Sequence, residues 1–246
     1  MPVLLEVTVD SVASAIAAEH GGAHRIELCG SLADGGITPS AGLIAMVRKR
    51  IALPVHVLVR PRTGDFCYTS DEFEVIKRDI LLARQLGANG VALGILAPDR
   101  RIDVSRTREL VDLAGPLSVT FHRAFDATPG LPAALEEVVS TGADRILTAG
   151  GAATAEEGTA MIARLVAVAG SRITLLACGR IREHNVASLL KATAVKEVHA
   201  NLQTLVSLSD GAAETNATSA LFGTSSRGEV LHATVERFLK AAAEVP

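Results

Sequence analysis

The sequence predicts a single-domain (β/α)8 barrel of the TIM type, and two observations lead to this prediction. Eight short runs of β-branched and aliphatic residues alternate with amphipathic helical stretches, at a mean spacing of about 30 residues, as in βα units. Strict alternation of strands and helices implies a parallel sheet with right-handed crossovers. Eight such units in 246 residues match the size of a closed barrel.

Four of the predicted strands follow a repeated phrase. The pattern Gly-Ala-x-x, followed by a β-branched residue, begins at Gly22, Gly87 and Gly142, and a degenerate copy begins at Ala194. Each copy follows an amphipathic stretch, so each glycine is expected just past the C-terminus of a helix. The other four strands are predicted between these copies, at 4–9, 55–60, 117–122 and 173–178.

Helix signals separate the strands. Thr69 and Glu72 have the spacing of a capping box, and Pro39 stands near the start of another helix. Residues 229–244 have the pattern of a last amphipathic helix, whereas the polar, small-residue-rich stretch 201–228 is typical of a loop. We therefore expect one domain over 1–246 with an irregular final βα unit.

A doubly wound open sheet is the alternative architecture. Its first strand would usually be followed by a glycine-rich turn that binds phosphate. Here Val9 runs straight into Asp10 and Ser11 without such a turn, which favours the barrel.

Composition excludes several classes of protein. An apolar fraction of 48% is too high for disorder, and a net charge of −3 with only six Phe, one Tyr and no Trp is unfavourable for nucleic-acid binding. No apolar run approaches the roughly 18 residues of a membrane span, and the N-terminus lacks the basic start of a signal peptide. Three scattered cysteines do not make a disulfide framework. We therefore expect a cytoplasmic protein with no nucleic-acid or membrane partner.

Polar side chains interrupt the predicted strands at alternate positions. Alternate residues of a barrel strand point into the lumen, where aliphatic side chains are expected. Burying charges there is costly unless they pair or contact a ligand, so a structural ion-pair layer and a ligand or catalytic site are both open interpretations. The residues assigned to this parity are Glu6, Thr8, Arg25, Glu27, Cys29, His56, Arg60, Thr120, His122, Thr148, Cys178, Glu197 and His199.

Three of the polar residues are candidates for acid–base chemistry. His122 and Asp126 stand four residues apart where the fifth strand ends, a position suited to proton transfer or to metal ligation. Alternatively, His122 is bonded to the barrel wall and Asp126 caps the next turn. Glu27, in the second strand, is the third candidate acid or base.

A second set of residues suits an anion. Arg60 and Arg62 flank a proline after the third strand, and guanidinium groups at a barrel mouth can hold a carboxylate or phosphate. Arg25, Arg123 and Thr148 complete the predicted anion-binding set.

Scarce aromatic residues gather beside those arginines. Phe66 and Tyr68 follow Gly64, which permits a sharp bend, so the two rings could cover a ligand as a lid. A loop packed on its own side chains is the alternative.

Cys29, Cys67 and Cys178 each fall at or after the C-terminal end of a predicted strand. Soft thiolates suit Cu(I), and His199 at the end of the eighth strand offers a further donor. No CxxC or CxC pair is present, and the second and seventh strands lie three steps apart around a closed barrel. Three ordinary reduced thiols are therefore the alternative to a copper site.

Several long phrases resemble the CutC family of copper homeostasis proteins, in the right order from about residue 4 to 200. The resemblance implies a cytoplasmic barrel with a role in copper tolerance and proposed Cu(I) binding, and it brings no established enzymatic reaction. The phrases are residues 5–11, GGAHRIELCGSLADGGITPS (21–40), VRPRTGDFCYTSDEFEVIKRDI (59–80), VTFHRAFD (119–126) and DRILTAGG (144–151).

The chain departs from the family pattern in three places. The first strand of relatives often reads Glu-Val-Cys, whereas Thr8 stands here, so a copper site that pairs cysteines of the first two strands would keep only Cys29. Cys178 replaces the small residues that usually end the seventh strand and could supply another thiol. The tail after His199 is also divergent.

Two functions are therefore predicted. The first is copper homeostasis, with Cu(I) bound by Cys29 and help from Cys67, Cys178 or His199. The alternative is a lyase or isomerase that acts on a small anionic metabolite at the barrel mouth and needs no dedicated cofactor. A homodimer is compatible with either function.

Overall fold

A computed structural model describes residues 3–207 and 226–244. Eight parallel strands close into a barrel in sequence order, with the eighth paired to the first, which confirms the predicted (β/α)8 fold. The strands are β1 Leu4–Val9, β2 Arg25–Leu28, β3 Val55–Leu58, β4 Gly90–Leu93, β5 Ser118–Phe121, β6 Arg145–Thr148, β7 Thr174–Ala177 and β8 Glu197–Ala200.

Helices follow the strands in alternation. Within the described ranges, none of them has the length and apolar character needed to cross a membrane. The helices are α1 Val12–His20, α2 Ala41–Arg50, α3 Ser70–Gln85, α4 Val104–Ala114, α5 Leu131–Thr141, α6 Thr159–Ala169, α7 Val186–Thr193 and α8 His232–Ala243, with short 3-10 turns at Leu32–Asp34 and Arg123–Ala127.

Local signals explain where several elements begin and end. Thr69 and Glu72 form the predicted capping box at the start of α3. Gly22, Gly87 and Gly142 each have φ between 82° and 86°, the left-handed conformation that ends a helix before the next strand. Ala194 adopts the same conformation, with φ of 56°, so the degenerate fourth copy of the phrase makes the same turn.

The region predicted as a loop over 201–228 contains regular structure. Residues Gln203–Ser207 (β9) and Ser226–Val230 (β10) pair as an antiparallel ribbon, and the intervening residues 208–225 lie outside the described part. The backbone N–H of Val230 donates to Ser14 Oγ, which joins the ribbon to α1. The final helix α8 then buries Val235 and Phe238. Sequence periodicity predicted this helix but not the ribbon, because two short strands carry too weak a pattern.

The two faces of the barrel strands differ in chemistry. The side chains that meet the surrounding helices are aliphatic and buried, for example Leu5, Val7 and Val9 on β1. The lumen-facing residues of the same strand are Glu6 and Thr8, both 2% exposed. The charged lumen predicted from the strand pattern is therefore present.

Buried ion pairs fill the lower lumen. The guanidinium of Arg25 pairs with Glu6 through Nε, and its Nη2 donates to Glu197 Oε2 at 2.8 Å. Arg145 Nε donates to the same Glu197 oxygen at 3.1 Å. On the other side, His199 Nδ1 lies 2.8 Å from Glu6 Oε1. These five side chains, from β1, β2, β6 and β8, are called the lumen layer below.

Charge pairing stabilises the ionised form of Glu6. Burial alone would raise the pKa of this carboxyl, but the hydrogen bond from His199 and the positive charge of Arg25 hold it well below its usual range. The carboxylate therefore stays charged throughout the neutral pH range, and Arg25 keeps its partner.

We predict that Glu6→Gln lowers the free energy of unfolding by about 3–5 kcal/mol, because it leaves a buried guanidinium with less compensating charge. Urea unfolding at pH 7 measures the change. Glu74→Gln on α3 is the matched control, since Glu74 is 57% exposed and is expected to contribute less than about 1 kcal/mol. Equal effects of the two substitutions would contradict the structural role of the lumen layer.

Candidate functional site

A cavity of about 300 Å³ opens at the C-terminal mouth of the barrel, directly above the lumen layer. Its volume lies at the lower end of the range of small-molecule sites. Thr8, Glu27 and His199, from the ends of β1, β2 and β8, line one part, and His122 and Arg60, from the ends of β5 and β3, line another.

Glu27 is the carboxyl group of this cavity. It is 6% exposed, and burial together with the negative charge of Glu6 raises its pKa to about 7, although the charges of His199 and Arg25 act in the opposite direction. A carboxyl with this pKa exchanges its proton near neutral pH, as a general acid or base requires.

His199 links Glu27 to the lumen layer. Its Nε2 lies 4.0 Å from Glu27 Oε2, while its Nδ1 contacts Glu6. Burial lowers the pKa of the imidazole, whereas the charge of Glu27 and the hydrogen bond to Glu6 raise it. The two raising effects are together larger, so the pKa of His199 lies above its usual value. The two carboxyl groups that flank the ring thus favour its protonated form.

His122 has the opposite character. Burial and the positive charge of Arg60 lower its pKa to about 3, so the ring is neutral at physiological pH. The backbone N–H of Ala124 donates to Nδ1 at 3.2 Å, which places the single ring proton on Nε2. Nε2 is buried and has no partner among the described residues. His122 therefore presents a neutral N–H donor in the cavity.

Arg60 is a buried cation held by backbone carbonyl groups. It is 8% exposed; Nη1 donates to Gly35 O and Gly36 O, and Nη2 donates to Gly64 O. The guanidinium also stacks over Phe66, 5.1 Å from the ring centroid. Within the described ranges it has no carboxylate partner, and its Nε–H is unpaired. The structure thus presents a positive charge whose counter-charge is not supplied by these residues.

Asp126 organises the loops beside the cavity. Its carboxylate accepts hydrogen bonds from Thr148 Oγ1 at 2.5 Å and from the backbone N–H groups of Ala149 and Gly151. Arg123 Nε donates to the same carboxylate at 2.9 Å. With four donors engaged, Asp126 positions the β6 loop and neutralises Arg123, which lines the cavity.

Thr148 does not belong to the lumen-facing set in which the sequence pattern placed it. The lumen-facing residues of β6 are Arg145, which pairs with Glu197, and Leu147, which lines the cavity. Thr148 lies on the opposite parity and bonds to Asp126. A four-residue strand with polar residues at both ends has no periodicity from which its facing can be determined.

Two further predicted anion ligands lie away from the cavity. Arg25 is committed to the lumen layer through Glu6 and Glu197. Arg62 points to the start of α3, where it pairs with Glu72 at 2.5 Å and Asp65 at 3.0 Å. The two arginines around Pro61 therefore separate, because the capping carboxylate of α3 attracts one of them.

Phe66 and Tyr68 lie in different parts of the structure. Phe66 lines the cavity and packs against His122, with ring centroids 5.0 Å apart. Tyr68 is 7% exposed in the main core and lies under the guanidinium of Arg62. Only Phe66 is placed to cover a ligand.

Sequence reasoning missed a pair of arginines. Arg180 and Arg182 follow β7 and line the cavity, and neither has a carboxylate partner within 4.0 Å among the residues the structure describes. The phrase Gly179-Arg180-Ile181-Arg182 was a signal, since it places two arginines directly after the seventh strand, at the end of a barrel where ligand sites form.

The three cysteines are free and lie in different surroundings. Cys29 is 1% exposed beside Thr8, with 3.8 Å between Oγ1 and Sγ, and burial together with the charge of Glu27 raises its pKa to about 12. Cys67 donates from its loop to Ala97 O, and Cys178 lines the cavity with a pKa raised well above the usual value by burial.

Over the described ranges, the one group of three or more possible ligands is Glu6, Glu27 and His199, which contains no sulfur. Glu6 is already paired with Arg25, and hard carboxylates do not suit Cu(I). These residues do not fit a preformed Cu(I) site with two thiolates.

Comparison with known proteins identifies relatives over most of the chain. The family model described as the CutC family matches residues 3–204. A relative from Chromobacterium violaceum, described as a family protein CutC, is 47% identical over 201 residues and covers 82% of this chain and 81% of its own. A relative from Vibrio vulnificus with the same description is 48% identical over 197 residues, 79% of each chain.

Solved structures agree with this assignment. The Streptococcus agalactiae CutC, a protein to which copper homeostasis is provisionally ascribed, matches with a TM-score of 0.76 at 30% identity, over 80% of this chain and 97% of that one. Phosphoribosylanthranilate isomerase from Thermotoga maritima matches with a TM-score of 0.60 at 12% identity, over 99% and 100% of the chains, a likeness in fold alone. The chain belongs to the CutC family.

Proposed function

We propose that the barrel mouth binds a small organic anion and transfers a proton on it, as an isomerase or lyase does. One observation carries the proposal: Arg60, Arg180 and Arg182 line a single cavity without carboxylate partners in the described part of the chain. Cations at a cavity that have no protein counter-charge favour an anionic ligand, and Arg60 among them is buried.

Polar groups in the cavity have complementary roles. Glu27, with its pKa of about 7, accepts or donates the proton at carbon. The neutral Nε2–H of His122 donates a hydrogen bond to an oxygen of the ligand as negative charge develops there, which stabilises an enolate-like transition state. His199 and Glu6 lie beside Glu27, and their charges act in opposite directions on its pKa.

The arginines are expected to control affinity. In the double variant Arg60→Met, Arg182→Met, we predict that affinity for phosphate and for malonate falls about 100-fold, roughly tenfold for each lost charge-assisted hydrogen bond. Isothermal titration measures the change. Arg172→Met, on the outside of the barrel and paired with Glu136, is the matched control and should leave affinity unchanged. Unaltered binding in the double variant would contradict the proposed site.

Glu27 is expected to control proton transfer. A panel of 2-keto and 2-hydroxy carboxylates and their phosphate esters in D2O should show exchange of a carbon-bound proton in at least one member. The rate should rise with pH through about 7, because the base is the ionised form of Glu27. We predict that Glu27→Gln slows exchange by about 100-fold or more.

Proton NMR follows the exchange reaction for each member of the panel. Glu74→Gln on α3 removes one exposed carboxylate outside the cavity and is the control for the charge lost in Glu27→Gln. Glu27→Gln should still bind the anions, since the arginines remain. Wild-type rates in Glu27→Gln, or no exchange in any member, would refute the acid–base role.

Copper homeostasis in the cytoplasm is the second candidate function. The descriptions of relatives support it, and so does the free state of all three cysteines, which suits a reducing compartment. In this candidate, Cu(I) binds at Cys29, with Cys178, Cys67 or His199 as further ligands. The neighbour of Cys29 on β1 is the hydroxyl group of Thr8 rather than a second thiol, which is unfavourable for Cu(I).

We predict that Thr8→Cys raises the affinity for Cu(I) by about tenfold or more, because it places a second sulfur near the position of Thr8 Oγ1, 3.8 Å from Cys29 Sγ, close enough for both sulfurs to bind one ion. Competition with a chromogenic Cu(I) chelator under reducing conditions measures the affinity. Cys29→Ser is the reference, and the double variant Thr8→Cys, Cys29→Ser tests whether both sulfurs are needed. High wild-type affinity that Cys29→Ser abolishes would instead favour copper binding in the native chain.

A further inference from the structure

The unpartnered arginines stand on opposite sides of the cavity. Arg60 follows β3, and Arg180 and Arg182 follow β7. In a closed barrel of eight strands in sequence order, the third and seventh strands are four steps apart in either direction and therefore face each other. The positive charge of the cavity is thus divided between two ends, called here the Arg60 end and the Arg180–Arg182 end.

The Arg60 end offers one charge and two free donors. Nη1 donates to the carbonyl groups of Gly35 and Gly36, and Nη2 donates to that of Gly64, which leaves Nε–H and one Nη2–H without a partner among the described residues. The guanidinium stacks over Phe66, 5.1 Å from the ring centroid, which restricts its movement. Two N–H groups on one positive charge match the two oxygens of a carboxylate.

The Arg180–Arg182 end offers two charges on a restrained backbone. Arg180 has φ of 54°, a left-handed conformation that is unfavourable for a non-glycine residue. Asn185 secures it, since its Nδ2 donates to Arg180 O at 3.2 Å and its Oδ1 accepts from Arg182 N at 2.8 Å. Asn185 thereby fixes the turn from which both guanidinium groups extend.

Mutual repulsion makes this arrangement unfavourable without a ligand. Burial and the adjacent charge of Arg180 lower the pKa of Arg182, so the charged form of Arg182 is disfavoured there. A doubly charged group would neutralise both, and a phosphate monoester carries about −1.5 to −2 at neutral pH. Two guanidinium groups also match the several oxygens of a phosphate better than the two oxygens of a carboxylate.

We propose that the ligand is a two-ended anion, with a carboxylate at the Arg60 end and a phosphate at the Arg180–Arg182 end. The carbon atoms between the two groups then pass over Glu27 and His122, which line the cavity from β2 and β5. This inference rests on the proposed anion-binding function and names the substrate class of that site, a small phosphorylated carboxylic acid.

A homologous series of ligands tests the proposal without assuming the distance between the ends. The probes are ω-phosphonocarboxylates from phosphonoacetate to 6-phosphonohexanoate, and the matched one-ended probes are the alkanoates and alkylphosphonates of the same length. Dicarboxylates of equal length form a third series. Affinities are measured by isothermal titration with the full chain.

We expect one member of the first series to bind at least about 100-fold more tightly than either matched one-ended probe, because the second contact is intramolecular. Arg60→Met should reduce its affinity to that of the alkylphosphonate, and Arg182→Met to that of the alkanoate. Arg60→Lys, which keeps the charge and loses the Nε donor, should fall between wild type and Arg60→Met. Urea midpoints show that each variant is folded, and Arg172→Met is the control.

The outcomes separate this inference from the proposed function. Binding of one-ended anions with no gain for any two-ended probe overturns the two-ended ligand and leaves the anion site standing. Tightest binding by a dicarboxylate overturns the assignment of phosphate to the Arg180–Arg182 end. If no anion of any series binds, the proposed function fails as well.

Discussion

Pairing of buried charge in the lumen layer is the constraint on which the rest of the structure depends. Glu6 and Glu197 neutralise Arg25 and Arg145 in the barrel lumen, where Glu6 and Arg25 are buried and the other two are partly buried. An unpaired ion in such a place costs several kcal/mol, so the four strands that carry these residues must keep one register. A shift of one residue along any of them would point a charge at the helices and an aliphatic side chain at the lumen.

The lumen layer also decides the chemistry of the cavity above it. Below the cavity, carboxylates and guanidinium groups balance one another. At the mouth they do not, because Arg60 contacts carbonyl groups and Arg180 repels Arg182. Glu27 stands at the boundary between the two regions, and its proton affinity is set by burial and by the charge of Glu6 beneath it. The acid–base chemistry and the anion binding that we propose therefore share one place and one arrangement of charges.

Several candidate residues are positioned by partners that lie far away in sequence. Asp126 could be a base by its residue type, yet Thr148 and two backbone amides occupy its oxygens. Arg62 could be an anion ligand by its position, yet Glu72 removes it from the mouth. In both cases the residue type permits the predicted role, and a competing hydrogen bond in the folded chain assigns another. Cys29 is a similar case, because its metal affinity depends on the neighbour that β1 provides.

The sequence by itself determined the barrel, its eight strands, the family and the presence of charge in the lumen, because these follow from local periodicity, turn residues and long shared phrases. It also indicated Arg60, Glu27, His122, His199 and Cys178, which all line the cavity. Only the tertiary structure decided that Thr148 faces away from the lumen, that Arg182 lines the cavity, and that the cluster of three or more possible metal ligands in the described residues contains no cysteine. The physical reason is that pairing of charges, protonation and ligand geometry depend on distances across the barrel, between residues that the order of the chain does not bring together.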